Sequence, residues 1–170
     1  MKLVPNHVGA LRLLSSILLK KQDTKNAVEL LERMLRLEPD NWRAHALMGA
    51  AKMQLGQVSE ATEFLERAAK LNPDGTTVRT RLAMSKLIGG DSATAIEELQ
   101  AALQKDPKAE RPAALLGFMH LRRGEYAEAE EVANPLMIEN PKNPLAYNLL
   151  GGTQMARGCL LYTSPSPRDA

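Results

Sequence analysis

Five prolines recur at a constant interval of 34 residues along this chain. They stand at Pro5, Pro39, Pro73, Pro107 and Pro141. Composition alone does not produce such spacing, so the interval indicates a repeated structural unit of that length. A period near 34 is typical of stacked helix–turn–helix units, none of which can bury its apolar face alone. The spacing therefore predicts an all-α fold in which helix hairpins stack into a solenoid.

Frames of 34 residues that begin at Val8 align more positions than the proline. Position seven is large and apolar, position eight is small, and position twenty is alanine in every complete frame. The members are Leu14, Met48, Leu82, Leu116 and Leu150 at seven, Ser15, Gly49, Ala83, Gly117 and Gly151 at eight, and Ala27, Ala61, Ala95 and Ala129 at twenty. Small residues at eight and twenty let the two helices of a hairpin approach closely, and the residue at seven fills the space between them.

Three further columns predict where the helices end and what the second helix buries. Position fifteen holds Gln22, Gly56, Gly90, Gly124 and Gly158, at a turn that favours positive φ. At position twenty-four, Leu31, Leu65 and Leu99 lie one turn after the alanine of the return helix, and the proline at thirty-two ends that helix. Asn41 and Asn143 supply side-chain acceptors for the helices that follow. The columns predict nine helices, near 8–21, 24–37, 42–55, 58–71, 76–89, 92–105, 110–123, 126–139 and 144–157.

Pro135 conflicts with this pattern because it falls inside the second helix of the fourth frame. Proline has no backbone N–H, and its ring clashes with the preceding turn of a helix. We expect a kink near residues 131–135 or an early end of that helix.

The columns resemble the tetratricopeptide repeat (TPR), whose pattern has Leu-Gly, then Gly, Ala and Pro at these offsets. The resemblance covers residues 8–157 and implies a right-handed α-solenoid that acts in protein binding. The chain departs from the family at positions four and eleven, where the family favours aromatic residues. It has Leu11, His45, Arg79, Ala113 and Tyr147 at four, and Leu18, Lys52, Lys86, His120 and Gln154 at eleven. These replacements reduce the volume of the core without removing the repeat.

The resemblance divides the chain into frames. Residues 1–7 are predicted to be the tail of a preceding repeat, and residues 8–41, 42–75, 76–109 and 110–143 are predicted to form repeats 1 to 4. Residues 144–158 correspond to the first helix of a truncated fifth repeat. Residues 159–170 leave the pattern at the expected turn, and 159–169 resemble a translated sequencing adapter, so we expect a non-native disordered tail. A natural disordered tail rich in serine and proline is the alternative reading.

Composition and motifs give no support for catalysis. The net charge is +2, and basic and acidic residues alternate along the helices instead of forming the basic cluster that nucleic-acid binding requires. The histidines His7, His45 and His120 have no partner at metal-ligand spacing, and Cys159 is the only cysteine. No phosphate-binding loop or activated nucleophile is recognisable. We therefore predict that the chain is not an enzyme and needs no cofactor or metal.

The resemblance implies a protein or peptide ligand in a concave groove that the first helix of each repeat lines. Carried over to this chain, the groove residues are Arg12, Leu19, Arg43, Met53, Met84, Leu87, Ile88, Arg111, Phe118, Leu121 and Arg122. Methionine and phenylalanine offer adaptable apolar contact, and arginine holds carboxylates through two hydrogen bonds. Such a groove suits an extended or helical segment with apolar anchors and acidic residues. Packing of the Met and Leu side chains between helices is the alternative interpretation.

Family members that bind chaperones clamp a terminal carboxylate with Lys and Asn at positions five and nine. Here those positions hold Arg12 and Ser16 in repeat 1 and Ala46 and Ala50 in repeat 2. Repeats 3 and 4 likewise have Thr80 with Met84 and Ala114 with Phe118. The resemblance therefore gives no support for a heat-shock co-chaperone.

Residues 78–85, 88–91 and 143–151 look like segments of the TPR lipoproteins of exosortase (PEP-CTERM) systems. That narrower resemblance implies a bacterial envelope protein linked to protein sorting and exopolysaccharide export. A TPR arm of a larger enzyme, such as a glycosyltransferase or peptidase, is one alternative. A cytoplasmic assembly factor is another, and residues 1–158 do not separate the three.

Overall fold

The computed structural model of the chain describes residues 7–163, and this part is built from nine α-helices without a strand. The predicted all-α fold of helix hairpins is confirmed. The helices are Val8–Lys20 (α1), Thr24–Leu37 (α2), Trp42–Gln54 (α3), Val58–Leu71 (α4), Thr76–Ile88 (α5), Ser92–Lys105 (α6), Glu110–Arg123 (α7), Tyr126–Glu139 (α8) and Pro144–Thr163 (α9). Each first helix begins at the first residue of its predicted 34-residue frame.

The chain divides into two compact units, residues 1–101 and 102–170, with the boundary inside α6. In the first unit α1 packs on α2 and α3 on α4, while α2 also packs on α3 and α4 on α5. The first helices are neighbours as well, since α1 contacts α3 and α3 contacts α5. In the second unit α8 packs on both α7 and α9, and α7 contacts α9. In both units, therefore, first helices lie side by side and second helices pack against them.

The repeated small and large residues form the core, as their spacing predicts. The four alanines at position twenty are fully buried, and so are Leu31, Leu65 and Leu99 at position twenty-four. A Cβ added at Gly49 would lie only 2.5 Å from Cγ of Leu65. Helices α3 and α4 can approach this closely only because Gly49 carries no side chain. The small residue at position eight therefore sets the spacing between the two helices of the second hairpin.

Position fifteen adopts a left-handed backbone conformation in all four hairpins. The φ angles are 62° at Gln22, 73° at Gly56, 89° at Gly90 and 75° at Gly124. In the second hairpin the N–H of Gly56 donates to the carbonyl of Met53 over 3.0 Å, which closes the first helix. Gln22 adopts the same conformation with a side chain, at a cost of about 1 kcal/mol. The predicted turn therefore forms even where glycine is replaced.

Side chains cap the first helices where the sequence predicts. Oδ1 of Asn41 accepts hydrogen bonds from the N–H groups of Arg43 (3.0 Å) and Ala44 (3.1 Å). Asn143 makes the equivalent bond with the N–H of Leu145 at 2.9 Å. These bonds satisfy N–H groups that lack a partner within the helix and so help to define where each first helix begins.

Helices α8 and α9 bear on two of the sequence predictions. Helix α8 runs from Tyr126 through Pro135 to Glu139, the span that the repeat predicts, so the early end that was one of the two outcomes expected at Pro135 does not occur. Ala133 and Leu136 are buried on both sides of the proline, and their packing holds the helix together despite the missing hydrogen bond. Helix α9 continues past Gly158 to Thr163, where a turn and a tail were expected. The next proline in the sequence is Pro165, so none blocks the helix before then; residues 164–170 lie outside the described residues.

Candidate ligand-binding surface

In the first unit, the predicted groove residues fall on α1, α3 and α5, and their exposure is uneven. Met84 and Ile88 on α5 are exposed, four residues apart on one face of the helix. Met53 and Leu87 are half-buried. This unit therefore presents a short apolar strip on α5.

Leu19 is a correction to the predicted groove. Its side chain is only 7% exposed and belongs to the core that includes Ala27 and Leu31. The amide of Gln54 closes over this end of α1, since its Nε2 donates to the carbonyl of Leu19 (3.0 Å) and its Oε1 accepts from Thr24 (2.8 Å). Position twelve lies where one first helix meets the next, so a following helix can cover it.

The two arginines of the predicted groove in the first unit, Arg12 and Arg43, have different surroundings. Arg43 is exposed, and its guanidinium lies over the ring of Trp42 at 4.3 Å from the centroid, in a cation–π contact. Arg12 is half-buried. Arg43 is therefore partly immobilised by its own neighbour, which reduces the freedom it would lose on binding a ligand.

In the second unit, Arg111, Phe118, Leu121 and Arg122 on α7 and Met155 on α9 form what we call the α7–α9 surface. Phe118 is 58% exposed and Met155 is 71% exposed. A Cβ added at Gly152 on α9 would lie 3.1 Å from Cδ1 of Leu121, so the two helices meet closely there. Leu121 is half-buried at this junction. Met155 stands at position twelve of the truncated fifth repeat, one of the positions that line the groove in the family.

Two arginines give the α7–α9 surface a local positive charge. Arg111 and Arg122 are exposed, and neither is paired with a carboxylate of the described residues. Three nearby carboxylates have other partners. They are Glu110 with Asn143 at 2.9 Å, Glu125 with His120 at 2.6 Å, and Glu130 with Arg157 at 2.8 Å. An apolar strip with two arginines available is suited to a ligand that has carboxylates next to apolar side chains.

Ion pairs replace the family's aromatic residues at positions four and eleven of the third repeat. Arg79 Nη1 lies 2.6 Å from Glu98, and Lys86 Nζ lies 2.6 Å from Glu66. The hydrogen bond to Glu66 raises the pKa of Lys86 above its ordinary value of 10.5, so the ammonium form is favoured. These pairs join α5 to α6 and α4, so Arg79 and Lys86 bind within the fold and are not groove residues.

The two histidines in these columns also have structural roles. His120 is buried, and its Nδ1 lies 2.6 Å from a carboxylate oxygen of Glu125. Nε2 of His45 lies 2.8 Å from the carbonyl of Pro39, and its ring is tilted against Phe64 at 5.9 Å between centroids. Within the described residues, no group of three His, Cys, Asp or Glu is placed to hold a metal ion.

Two cavities open on the first unit away from the predicted groove. One, of about 390 Å³, is lined by Met48, Lys52 and Phe64 among others. The other, of about 410 Å³, includes Arg79 and Lys86. Three basic residues of these walls are already in ion pairs: Lys52 with Glu60, Arg79 with Glu98, and Lys86 with Glu66.

Among the helices formed by residues 8–163, none is both long enough and apolar enough to cross a membrane.

The hairpin repeat, its buried alanine column and its left-handed turns define the chain as a tetratricopeptide repeat protein, a class of generally non-catalytic interaction scaffolds. The profile of the tetratricopeptide repeat matches residues 10–41. The profile of the cytochrome c-type biogenesis protein H TPR domain matches residues 31–136, more than half of the chain. The chain belongs to that family. No curated protein sequence matches it significantly.

Solved structures share this fold at low sequence identity. The crystal structure of MamA is 20% identical, with a TM-score of 0.74 over 89% of this chain and 82% of that one. MamA 41-end from Desulfovibrio magneticus RS-1 is 24% identical, with a TM-score of 0.69 over 82% and 79%. YrrB, described as a TPR protein with an unusual peptide-binding site, is 16% identical, with a TM-score of 0.69 over 87% and 76%. At these identities the likeness shows the fold alone.

Proposed function

We propose that this chain is a non-catalytic interaction scaffold that binds a segment of another protein on its first helices, with the α7–α9 surface as the main contact. The observation that carries the proposal is the exposure of Phe118 and Met155 on a surface with two arginines that have no carboxylate partner among the described residues. Large apolar side chains exposed together on one face are typical of interaction sites. The peptide-binding site in the description of YrrB is consistent with this use of the fold.

The side chains of the α7–α9 surface indicate what kind of ligand would bind there. Phe118 offers an aromatic ring, and Met155 a flexible thioether that adapts to different apolar partners. Arg111 and Arg122 lie eleven positions apart on α7, which separates their Cα atoms by about 16 Å at 1.5 Å per residue. We infer that the ligand has an apolar anchor between acidic residues, in an extended or helical conformation.

Two narrower roles follow from different observations. The family profile favours a part in the assembly of c-type cytochromes, in which the scaffold would bind a protein of that pathway. The likeness of residues 78–85 and 143–151 to TPR lipoproteins favours a part in envelope protein sorting and exopolysaccharide export. The profile covers residues 31–136 continuously, whereas the likeness rests on short segments, so we propose the cytochrome c role first.

Reversing the charge of both arginines, Arg111→Glu with Arg122→Glu, is expected to weaken binding of an acidic peptide by about tenfold or more. The reason is that two attractive contacts become repulsive, and such effects are largest at low salt. The probe is a fluorescent peptide with Phe and Leu anchors flanked by Glu. Its affinity is measured by fluorescence anisotropy, with circular dichroism as the test of folding.

A peptide with Lys in place of Glu provides the matched control. The wild-type chain is expected to bind it poorly, and the double variant to bind it better than the wild type does. A variant that keeps its helicity and binds both peptides as the wild type does would contradict the proposed site. Reversal at Arg67, which is paired with Asp40 in the connection between α2 and α3, is expected to leave both affinities unchanged.

A further inference from the structure

Helices α7 and α8 carry opposite charges. Three arginines and one glutamate lie on α7, whereas α8 has four glutamates and no basic residue. Glu128 and Glu131 on α8 are exposed, and neither is paired with a described residue. Glu139 is paired with Lys108, but both side chains are more than half exposed, and an ion pair at such a surface contributes little. Carboxylates on α8 are therefore available to a basic partner.

One apolar side chain on this side of α8 is unusually exposed. Ile138 is 84% exposed, more than any other large apolar residue in the described part of the chain. It lies seven residues after Glu131, two turns further along the same side of the helix. A single exposed apolar residue is common on a protein surface, but this one stands among available carboxylates. We call this surface the α8 face, and its residues are Glu128, Glu131, Pro135, Ile138 and Glu139.

The α8 face matches the α7–α9 surface in spacing and is opposite to it in charge. On α7, Arg111, Phe118 and Arg122 stand at i, i+7 and i+11, which places them on one narrow stripe of the helix. In both helices the two outer, charged residues are about 16 Å apart along the axis. Equal spacing of opposite charges favours one register between two surfaces. The residues of α8 at the same intervals are Glu128, Pro135 and Glu139.

We propose that the α7–α9 surface of one molecule binds the α8 face of a second copy of this chain. The inference rests on the proposed function, since it uses the same surface and names its occupant. When the two helices run in the same direction, each outer glutamate lies opposite one arginine, and Ile138 lies next to Phe118. An unrelated acidic protein is the alternative occupant. The second copy is favoured because α8 supplies the charge, the spacing and the apolar anchor on one exposed helix face.

The two faces belong to different helices, so the contact between copies is heterologous. A copy that binds one neighbour through its α8 face keeps its α7–α9 surface for another neighbour, and such contacts build rings or open chains of copies. An acidic ligand uses the same two arginines as the second copy. Self-association and ligand binding therefore compete, and a bound acidic peptide releases the copies from one another.

Sedimentation equilibrium of the full chain tests the proposal. The wild type is expected to associate as its concentration rises, and about 1 M salt is expected to weaken this association by about tenfold or more, because salt screens the facing charges. Two variants each reverse the charge of one face. The arginine variant is Arg111→Glu with Arg122→Glu, and the α8 variant is Glu128→Arg with Glu139→Arg.

Each variant alone is expected to associate at least about tenfold more weakly than the wild type, since both of its faces then have the same charge. Circular dichroism tests whether the variants fold. An equal mixture of the two variants is expected to regain the association, because each face of one variant meets a face of opposite charge on the other. A mixture that stays as dissociated as its folded components would overturn the proposal.

Glu29→Arg with Glu32→Arg on α2 is the matched control, because it changes the net charge as much as the α8 variant does. Both glutamates are exposed, and neither is paired with a described residue. Their reversal is expected to leave the association within about twofold of the wild type, since α2 lies outside both faces. Equal weakening by the control and the α8 variant would overturn the proposal, because net charge would then be responsible.

Binding of the acidic peptide separates this inference from the proposed function. The α8 variant is expected to bind the peptide at least as tightly as the wild type, whereas the arginine variant loses both peptide binding and self-association. A wild-type chain that binds the peptide but stays monomeric at about 1 mM would overturn the inference and leave the proposed function in place. An α8 variant that associates as the wild type does would also overturn it, because the occupant would not be α8.

Discussion

Leu65→Ala is expected to lower the free energy of unfolding by about 2–5 kcal/mol, the range found for truncating a fully buried leucine. Leu65 has no exposed surface and lies in a core cluster with Ala68 and Leu82. Truncation removes apolar contact and leaves a cavity that the rigid helix pairs around it fill only in part. Urea unfolding followed by circular dichroism measures the change.

Leu13→Ala is the control for this truncation because it removes the same atoms from an exposed position. We expect it to change the free energy of unfolding by less than about 0.5 kcal/mol. A loss below about 1 kcal/mol for Leu65→Ala would contradict the packing described for α3 and α4. Equal losses for the two variants would contradict it as well.

Gly49→Ala is expected to lower the free energy of unfolding by about 1–3 kcal/mol, although alanine is the better helix former. The new Cβ would lie 2.5 Å from Cγ of Leu65 and 3.2 Å from the backbone oxygen of Ala61. The leucine can change its rotamer, but the backbone oxygen moves only if α4 shifts. Thermal and urea unfolding of the variant measure the effect.

Gly151→Ala is the matched control because Gly151 occupies the same position eight on α9. No described atom lies within 4 Å of a Cβ there, so alanine is expected to stabilise the chain by about 0.5–1 kcal/mol. Helix propensity alone would make both variants more stable, so a loss of stability at Gly49 with a gain at Gly151 indicates that the close approach of α3 and α4 is responsible. In a Leu65→Ala background, Gly49→Ala is expected to cost less, since the cavity accepts the new methyl group. A change in the free energy of unfolding of the same sign for both variants would contradict the contact assigned between Gly49 and Leu65.

The repeat period allowed most of the fold to be predicted from sequence. The alanines at position twenty and Leu31, Leu65 and Leu99 at position twenty-four could be assigned to the core because each column has one place in the hairpin. The turns followed from Gly56, Gly90 and Gly124, and the same register predicted the left-handed backbone of Gln22. The period predicts the fold well because each repeat packs against its neighbours in the same way.

The departures arise where a residue's surroundings are not repeated. Pro135 does not end α8, because burial of its neighbours outweighs the missing hydrogen bond. Leu19 was predicted to line the groove and lies in the core instead, since α3 closes over it. Met155 has the same register on α9 and is exposed, so position twelve alone does not determine burial. The position of a residue in the repeat predicts that it faces a neighbouring helix, but the packing of that helix determines how much of the side chain stays exposed.

Hydrogen–deuterium exchange of the chain with and without the acidic peptide tests the proposed binding surface most directly. Binding at the α7–α9 surface is expected to slow exchange in residues 110–123 and 144–157. Exchange in α8 is expected to change little, although this helix carries the exposed apolar residue Ile138. Slower exchange confined to α8, or no change in any of these helices at saturating peptide, would contradict the assignment of ligand binding to the first helices.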